Sequence, residues 1–133
     1  MTAASNPPNI RGVAILLWAT RPEDPALAAT PFMHAAAAAA MDLEVEVHFS
    51  AQSVRLLVPG VADALYAGAS RERSIAAFMQ HARDHGARFF ACSSALENTG
   101  VDPATIAGRV DGFAGASSFQ ARAIDPTWRV MVF

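Results

Sequence analysis

Gly12-Val13-Ala14-Ile15-Leu16-Leu17-Trp18-Ala19 is an unbroken apolar run of strand length. A strand with one wet face alternates apolar and polar residues, whereas a strand covered on both faces does not have to. The run therefore predicts a strand inside a parallel sheet. Next comes a loop with two helix-start signals, Asp24-Pro25 and Thr30-Pro31, each an N-cap residue followed by proline. The alanines from Ala35 to Ala40 follow, with Met41 behind them. Alanine has the best helix propensity, so this low-complexity stretch reads as a packed helix, with His34 in its first turn.

Leu43-Glu44-Val45-Glu46-Val47-His48-Phe49-Ser50 alternates without a break and predicts a second strand. Leu43, Val45, Val47 and Phe49 form its buried face. Glu44, Glu46 and His48 form the other, which should be thinly covered or near a sheet edge. Residues 51–58 suit a helical turn ended by Pro59-Gly60, and residues 70–85 a helix with Ile75, Phe78, Met79 and Ala82 on one stripe, stopped by Gly86. Then come a strand at 88–91, a short helix at 93–99 before Gly100, a short helix capped by Asp102-Pro103, a short strand at 112–115, a helix at 116–123 and a terminal strand at 128–133. Five strands alternating with helices predict an α/β fold, a three-layer α/β/α sandwich with a five-stranded, mostly parallel sheet. The start, Met1-Thr2-Ala3-Ala4-Ser5-Asn6-Pro7-Pro8-Asn9, lacks the basic and apolar segments of a secretion signal. Residues 1–10 read as a flexible tail and 11–133 as one domain.

Composition narrows the chemistry. The 133 residues are 53% hydrophobic and 17% charged, with a net charge of −2. There is no basic run, which argues against nucleic acid, and no apolar stretch near the ~20 residues needed to cross a bilayer. All ten basic residues are arginine. Without lysine there is no Walker A loop and no lysine Schiff base. No Gly-x-Ser-x-Gly elbow announces a serine hydrolase, no Gly-x-Gly-x-x-Gly follows the first strand, and Gly112-x-x-Gly115 is too little for a dinucleotide site. No cofactor is expected. His81 and His85 share a helix face at a spacing that can hold a metal, but no third ligand accompanies them, so no metal is expected either. Trp18 and Trp128, in apolar strands, read as core or interface.

Cys92 is the one cysteine. It cannot form an internal disulfide, and a reducing cytoplasm is its simplest setting. In Arg88-Phe89-Phe90-Ala91-Cys92-Ser93-Ser94-Ala95-Leu96 it ends an apolar run and precedes a helix. In parallel sheets, chemistry collects beyond the carboxyl ends of the strands. Unpaired backbone N–H groups there favour a thiolate, and Ser93 and Ser94 are expected to cap the helix and present such groups. A lone cysteine beside two phenylalanines is also a common inert core residue. His34 is a candidate proton partner for the thiolate, and Gln52 and Arg55, after the second strand, are candidates for shaping the site and meeting an anion.

Three features together resemble the DsrE/DsrF-like family of sulfur-relay proteins across residues 11–133. The first is the alanine-rich helix leading into the alternating strand, Phe32-Met33-His34-Ala35 through Leu43-Glu44-Val45-Glu46-Val47-His48-Phe49. The second is the strand that ends in cysteine, Phe90-Ala91-Cys92-Ser93-Ser94-Ala95-Leu96, followed by Gly100-Val101. The third is the glycine-containing short strand, a helix and a final strand ending in phenylalanine. The resemblance implies a parallel five-stranded sheet and a homo-oligomer, trimer or hexamer. It also implies an intracellular sulfur carrier or sulfurtransferase-like protein, with Cys92 taking sulfane sulfur from a donor protein as a persulfide and passing it to an acceptor. Two features depart from the pattern. Glu97-Asn98-Thr99-Gly100 stands where active members often carry basic residues, and Ala51-Gln52-Ser53-Val54 stands where a Gly-Asp-Gly-Val-like loop is common. The alternative is a non-catalytic oligomeric binding or assembly module with an inert cysteine. A small-molecule or nucleotide binder using the strand-end cleft is a third reading.

Overall fold

A computed structural model describes residues 9–133. The tail expected over residues 1–10 therefore lies, apart from Asn9 and Ile10, outside the described residues. Five strands form one parallel sheet: β1 (Gly12–Leu17), β2 (Glu44–Phe49), β3 (Arg88–Ala91), β4 (Gly112–Phe113) and β5 (Trp128–Val132). Their order across the sheet is β4-β3-β2-β1-β5. The helices are α1 (Pro25–Ala40), α2 (Ile75–Asp84), α3 (Ser93–Thr99), α4 (Pro103–Ile106) and α5 (Ala116–Ala123), with a 3₁₀ helix at Ala51–Leu57.

The strand order dictates the layers. From β1 to β4 the chain steps always in one direction, so right-handed crossovers put their helices on one face. Only the last crossover runs back across the sheet, and it carries α5 to the opposite face. The thick side holds the main core, where Ile15, Leu17, Val45, Val47, Phe49 and Phe89 are buried with Phe32 and Ala35 of α1 and Ile75 and Ala82 of α2. Phe32, Phe49 and Phe89 form an aromatic triangle with ring centroids 5.1 to 5.9 Å apart, each pair contributing about 0.5–1.5 kcal/mol beyond its buried area. The small alanines of α1 let the helix lie close on the sheet.

The thin side has one eight-residue helix. Phe119 of α5 packs with Ala14 and Trp128. Gly12 is required here, because a Cβ on it would stand 2.6 Å from the Trp128 ring. The polar face of β2 is expected to be thinly covered or near an edge, but β2 sits inside the sheet and of that face only Glu44 is exposed. Glu46 and His48 are buried, at 5% and 4% exposure, beneath the Phe119 and Arg122 side of α5.

Three local expectations shift. α1 starts at the first signal, Pro25, and runs through Pro31. The ring there forfeits one backbone hydrogen bond, a loss the buried face of α1 outweighs. His34 is consequently mid-helix and not in a first turn. α2 starts at Ile75, where the Ser74 hydroxyl accepts from the Ala77 N–H at 3.1 Å, later than the expected residue 70. β1 stops at Leu17, and Trp18 is 61% exposed while Trp128 is buried. Gly100 ends α3 in the left-handed region at φ 72°, as expected of a glycine stop.

Candidate functional site

Cys92 continues the line of β3 for one residue. Its N–H donates to the Phe49 carbonyl at 3.0 Å, extending the pairing with β2, and its own carbonyl accepts from Leu96 N–H at 3.1 Å. The cysteine is thus held from both sides, by the sheet through its nitrogen and by α3 through its oxygen. With φ −76° and ψ 121° it is itself the N-cap of α3. This corrects the expected serine cap. Ser93 and Ser94 are the first two helical residues, both exposed, and no side chain caps the helix. The reason is the sheet pairing, which keeps Cys92 extended and lets helical geometry begin one residue later. The N–H groups of Ser93 and Ser94 are among those that a helix start leaves without an intrahelical partner. Cys92 is partly buried and packs against the edge of the core.

Two loops flank it. On one side, Ala114 N–H donates to the Ala91 carbonyl at 3.0 Å, bringing the Ala114-Gly115 turn beside the cysteine. On the other, the segment after β2 is tied to the end of β1. Ser50 N–H, Ser50 hydroxyl and Ser53 hydroxyl all donate to the Leu17 carbonyl, at 3.1, 2.7 and 3.1 Å. Between those serines Ala51 adopts φ 50°. A residue with a Cβ pays roughly 1 kcal/mol or more to stand there.

Gln52 and Arg55 sit on the 3₁₀ helix that starts with Ala51, so the fold brings them to the same sheet end as Cys92. Arg55 is already engaged. Its Nη1 donates to both Glu23 carboxylate oxygens, at 2.8 and 2.7 Å, and to Gln52 Oε1 at 3.1 Å. The Arg55 hydrogen bond holds the Glu23 carboxyl below its ordinary value. Glu23, two residues before Pro25, is the partner that sequence reasoning missed. No contact joins His34 to Cys92 among the described residues. Its ring lies 5.8 Å from that of Phe133, which follows β5, and β5 stands three strand spacings from β3, about 14 Å.

A second polar group lies under α5. Glu46 accepts from Arg122 Nε and Nη2 at 2.7 to 3.2 Å, from Arg88 at 3.2 Å and from His48 Nε2 at 3.1 Å. Burial pushes the Glu46 carboxyl up, and the Arg122 and His48 hydrogen bonds more than reverse it, leaving it below the ordinary range. Burial holds His48 below its ordinary value despite the carboxylate beside it. A neutral ring suits the site. Nε2–H serves Glu46, and buried Nδ1, which has no partner among the described residues, keeps its lone pair. His81 and His85 have ring centroids 4.5 Å apart, and among the described residues no three His, Cys, Asp or Glu side chains gather as a metal site would require. Among those residues, too, no helix is long and apolar enough to cross a membrane.

Residues 13–133 match a protein-family model described as the DsrE/DsrF-like family. Solved structures that share the fold include these two. The ychN protein from E. coli superposes with a TM-score of 0.71 at 11% identity, covering 93% of this chain and all of that one. MTH1491 from Methanobacterium thermoautotrophicum, a protein of unknown function, superposes with a TM-score of 0.61 at 18% identity, covering 94% of this chain and all of that one. No curated protein matches the chain.

Proposed function

Since the chain belongs to the DsrE/DsrF-like family, we propose that it is a sulfur carrier whose Cys92 holds sulfane sulfur as a persulfide. One observation carries the reading. The chain's single thiol stands, partly exposed, at the carboxyl end of β3, between the loops that follow β2 and β4. In the proposed exchange the Cys92 thiolate attacks the terminal sulfur of a donor persulfide. A new S–S bond forms on Cys92, the donor S–S bond breaks, and its electron pair leaves on the donor sulfur as a thiolate. An acceptor thiolate repeats the attack and releases Cys92. The steps need no external oxidant or reductant, and a reducing cytoplasm suits them. Gln52 and Arg55, at the same end of the sheet, would shape the approach. The experiment is intact-mass analysis after incubation with cysteine persulfide. The expected result is the mass of one added sulfur, removed by a reductant and absent from Cys92→Ser. Failure to load, under conditions that load a known carrier, overturns the reading.

We also propose that the protein acts as a homo-oligomer. α1 has no charged residue from end to end, yet Leu27 and Met33 on it and Met41 just beyond it are 68%, 54% and 71% exposed. On the thin side of the sheet, Trp18, Val130 and Val132 lie open beyond α5. Sedimentation velocity tests this, with a trimer or hexamer expected and a monomer at all concentrations against it. The engagement of Arg55 by Glu23 favours the second reading, an assembly module with an inert thiol. Slow alkylation of native Cys92 would support that reading over the carrier.

A further inference from the structure

The flank of the sheet beyond β3 is covered by short pieces: the 3₁₀ helices at Ala51–Leu57, Ala62–Ala64 and Ala107–Arg109, and the four-residue α4. Short pieces do not fill a layer as a long helix does, and they leave a cleft of about 600 Å³ along α2. That volume lies in the range of small-ligand sites. Cys92 is not among its lining residues.

The cleft is apolar in the middle and charged with opposite signs at its ends. Leu56, Leu57, Met79 and Phe89 supply the apolar walls. At the last turn of α2, Arg83 reaches across the end of the cleft. Its Nη1 donates to the Arg109 carbonyl at 2.7 Å, and its guanidinium stands 5.3 Å over the Phe89 ring. Asp111 stands 3.8 Å from it, but the same carboxylate oxygen already accepts from Phe89 N–H at 2.7 Å. The Arg109 guanidinium is exposed and has no hydrogen-bond or carboxylate partner among the described residues. At the opposite end is Asp63, exposed and likewise without a partner among them. Its end of the cleft is fixed by Ile75 N–H, which donates to the Leu65 carbonyl at 2.8 Å and so ties the Asp63 segment to the start of α2. From there to Arg83 the helix spans about 13 Å.

We propose that this cleft binds a small organic anion. A carboxylate, sulfonate or phosphate head would meet Arg109 and the free N–H groups of Arg83, an aliphatic or aromatic body would lie on Leu57, Met79 and Phe89, and a hydroxyl or amine would face Asp63. The site is separate from Cys92, so it stands or falls independently of sulfur transfer.

The test is a fluorescence titration of the full chain with anilinonaphthalene sulfonate, an aryl sulfonate with a polar N–H. Saturable one-to-one binding is expected. Arg109→Glu should weaken it by about tenfold or more, the equivalent of one charge-assisted hydrogen bond. Arg109→Lys should recover most of the loss, and Ala76→Phe should block binding by filling the cleft. Inorganic phosphate alone and hexanoate alone should each compete weakly, since each supplies one half of the interaction. Met33→Ser, in the separate groove between α1 and α2, should change nothing. Unchanged affinity in both Arg109→Glu and Ala76→Phe overturns the proposal, as does binding abolished by Met33→Ser, which would put the probe in that groove.

Discussion

Replacing Arg122 with alanine removes the strongest counter-charge from a carboxylate that the fold has taken out of water. Glu46 has a 6% exposed side chain and Arg122 a 32% exposed one, with the closest contact at 2.7 Å. Breaking a fully buried pair costs about 3–5 kcal/mol because one charge stays buried and unpaired, while an exposed pair is worth about 0–1 kcal/mol. Arg122 is a third open to solvent, and Arg88 still reaches Glu46 at 3.2 Å, so the loss falls between those limits. Arg122 also lies 4.1 Å over the Trp128 ring, a contact worth about 0.5–1 kcal/mol at a site of this exposure. The expected cost of Arg122→Ala is about 2–3 kcal/mol. It should be read from urea unfolding followed by circular dichroism, with an unchanged slope. Glu46→Gln combined with Arg122→Ala should cost less than the sum of the single changes, because the uncompensated charge is gone. A cost for Arg122→Ala below about 0.5 kcal/mol, or strict additivity, would mean that solvent already screens the pair, and the account of α5 as the lid on Glu46 would be refuted.

Gly12→Ala should destabilise by about 1–3 kcal/mol, the usual cost of overpacking, since the new Cβ meets the Trp128 ring at 2.6 Å; a red-shifted tryptophan emission would report the displaced ring. Ala51→Gly should stabilise by about 0.5–1 kcal/mol, because glycine accepts φ 50° without strain, and thermal melting checks it. Stability should fall in two steps as the pH is lowered. His48 and Glu46 both have folded values below the ordinary 6.5 and 4.5, so the unfolded chain takes up protons first. Stability is full above 6.5, falls as pH drops below that value through His48, and falls again below 4.5 through Glu46. His48→Gln should abolish the first step only, as seen in denaturation midpoints measured across that range. Cys92→Ser should fold with normal stability, because the hydrogen bonds that hold position 92 come from its backbone.

The layer order and most elements were legible because backbone signals are local. Apolar runs, alternation, Asp102-Pro103 and Gly100 each act within a few residues. What the sequence left open depended on partners far along the chain. Pro31 is a start signal by propensity, and only the burial of Phe32 and Ala35 against the sheet explains why α1 runs through it. Ser93 and Ser94 are good caps by type, but pairing with Phe49 assigns that place to Cys92. Arg55 reads as a free cation until Glu23, 32 positions earlier, is placed beside it. The alternation that marks Glu46 and His48 as polar-face residues carries no record of Arg122, 76 positions from Glu46.

The thin layer over the sheet follows from the same topology that places Cys92. Once β1 to β4 step in one direction, their helices must all lie on one face, and one crossover remains to cover the other. α5 has eight residues, about 12 Å of helix, too little to cover five strands. The polar part of β2 takes the cover, since Glu46 and His48 cannot stand unpaired in an apolar layer. Val130, Val132 and Trp18 remain outside it, on the edge strand and at the carboxyl end of the neighbouring strand. A second copy packed there would complete the layer at the end of the sheet where Cys92 lies. Val132→Asp should therefore weaken self-association while leaving the two pH-dependent steps in monomer stability unchanged. Oligomers that survive both Val132→Asp and Trp18→Ser would show that this face is not the one that associates.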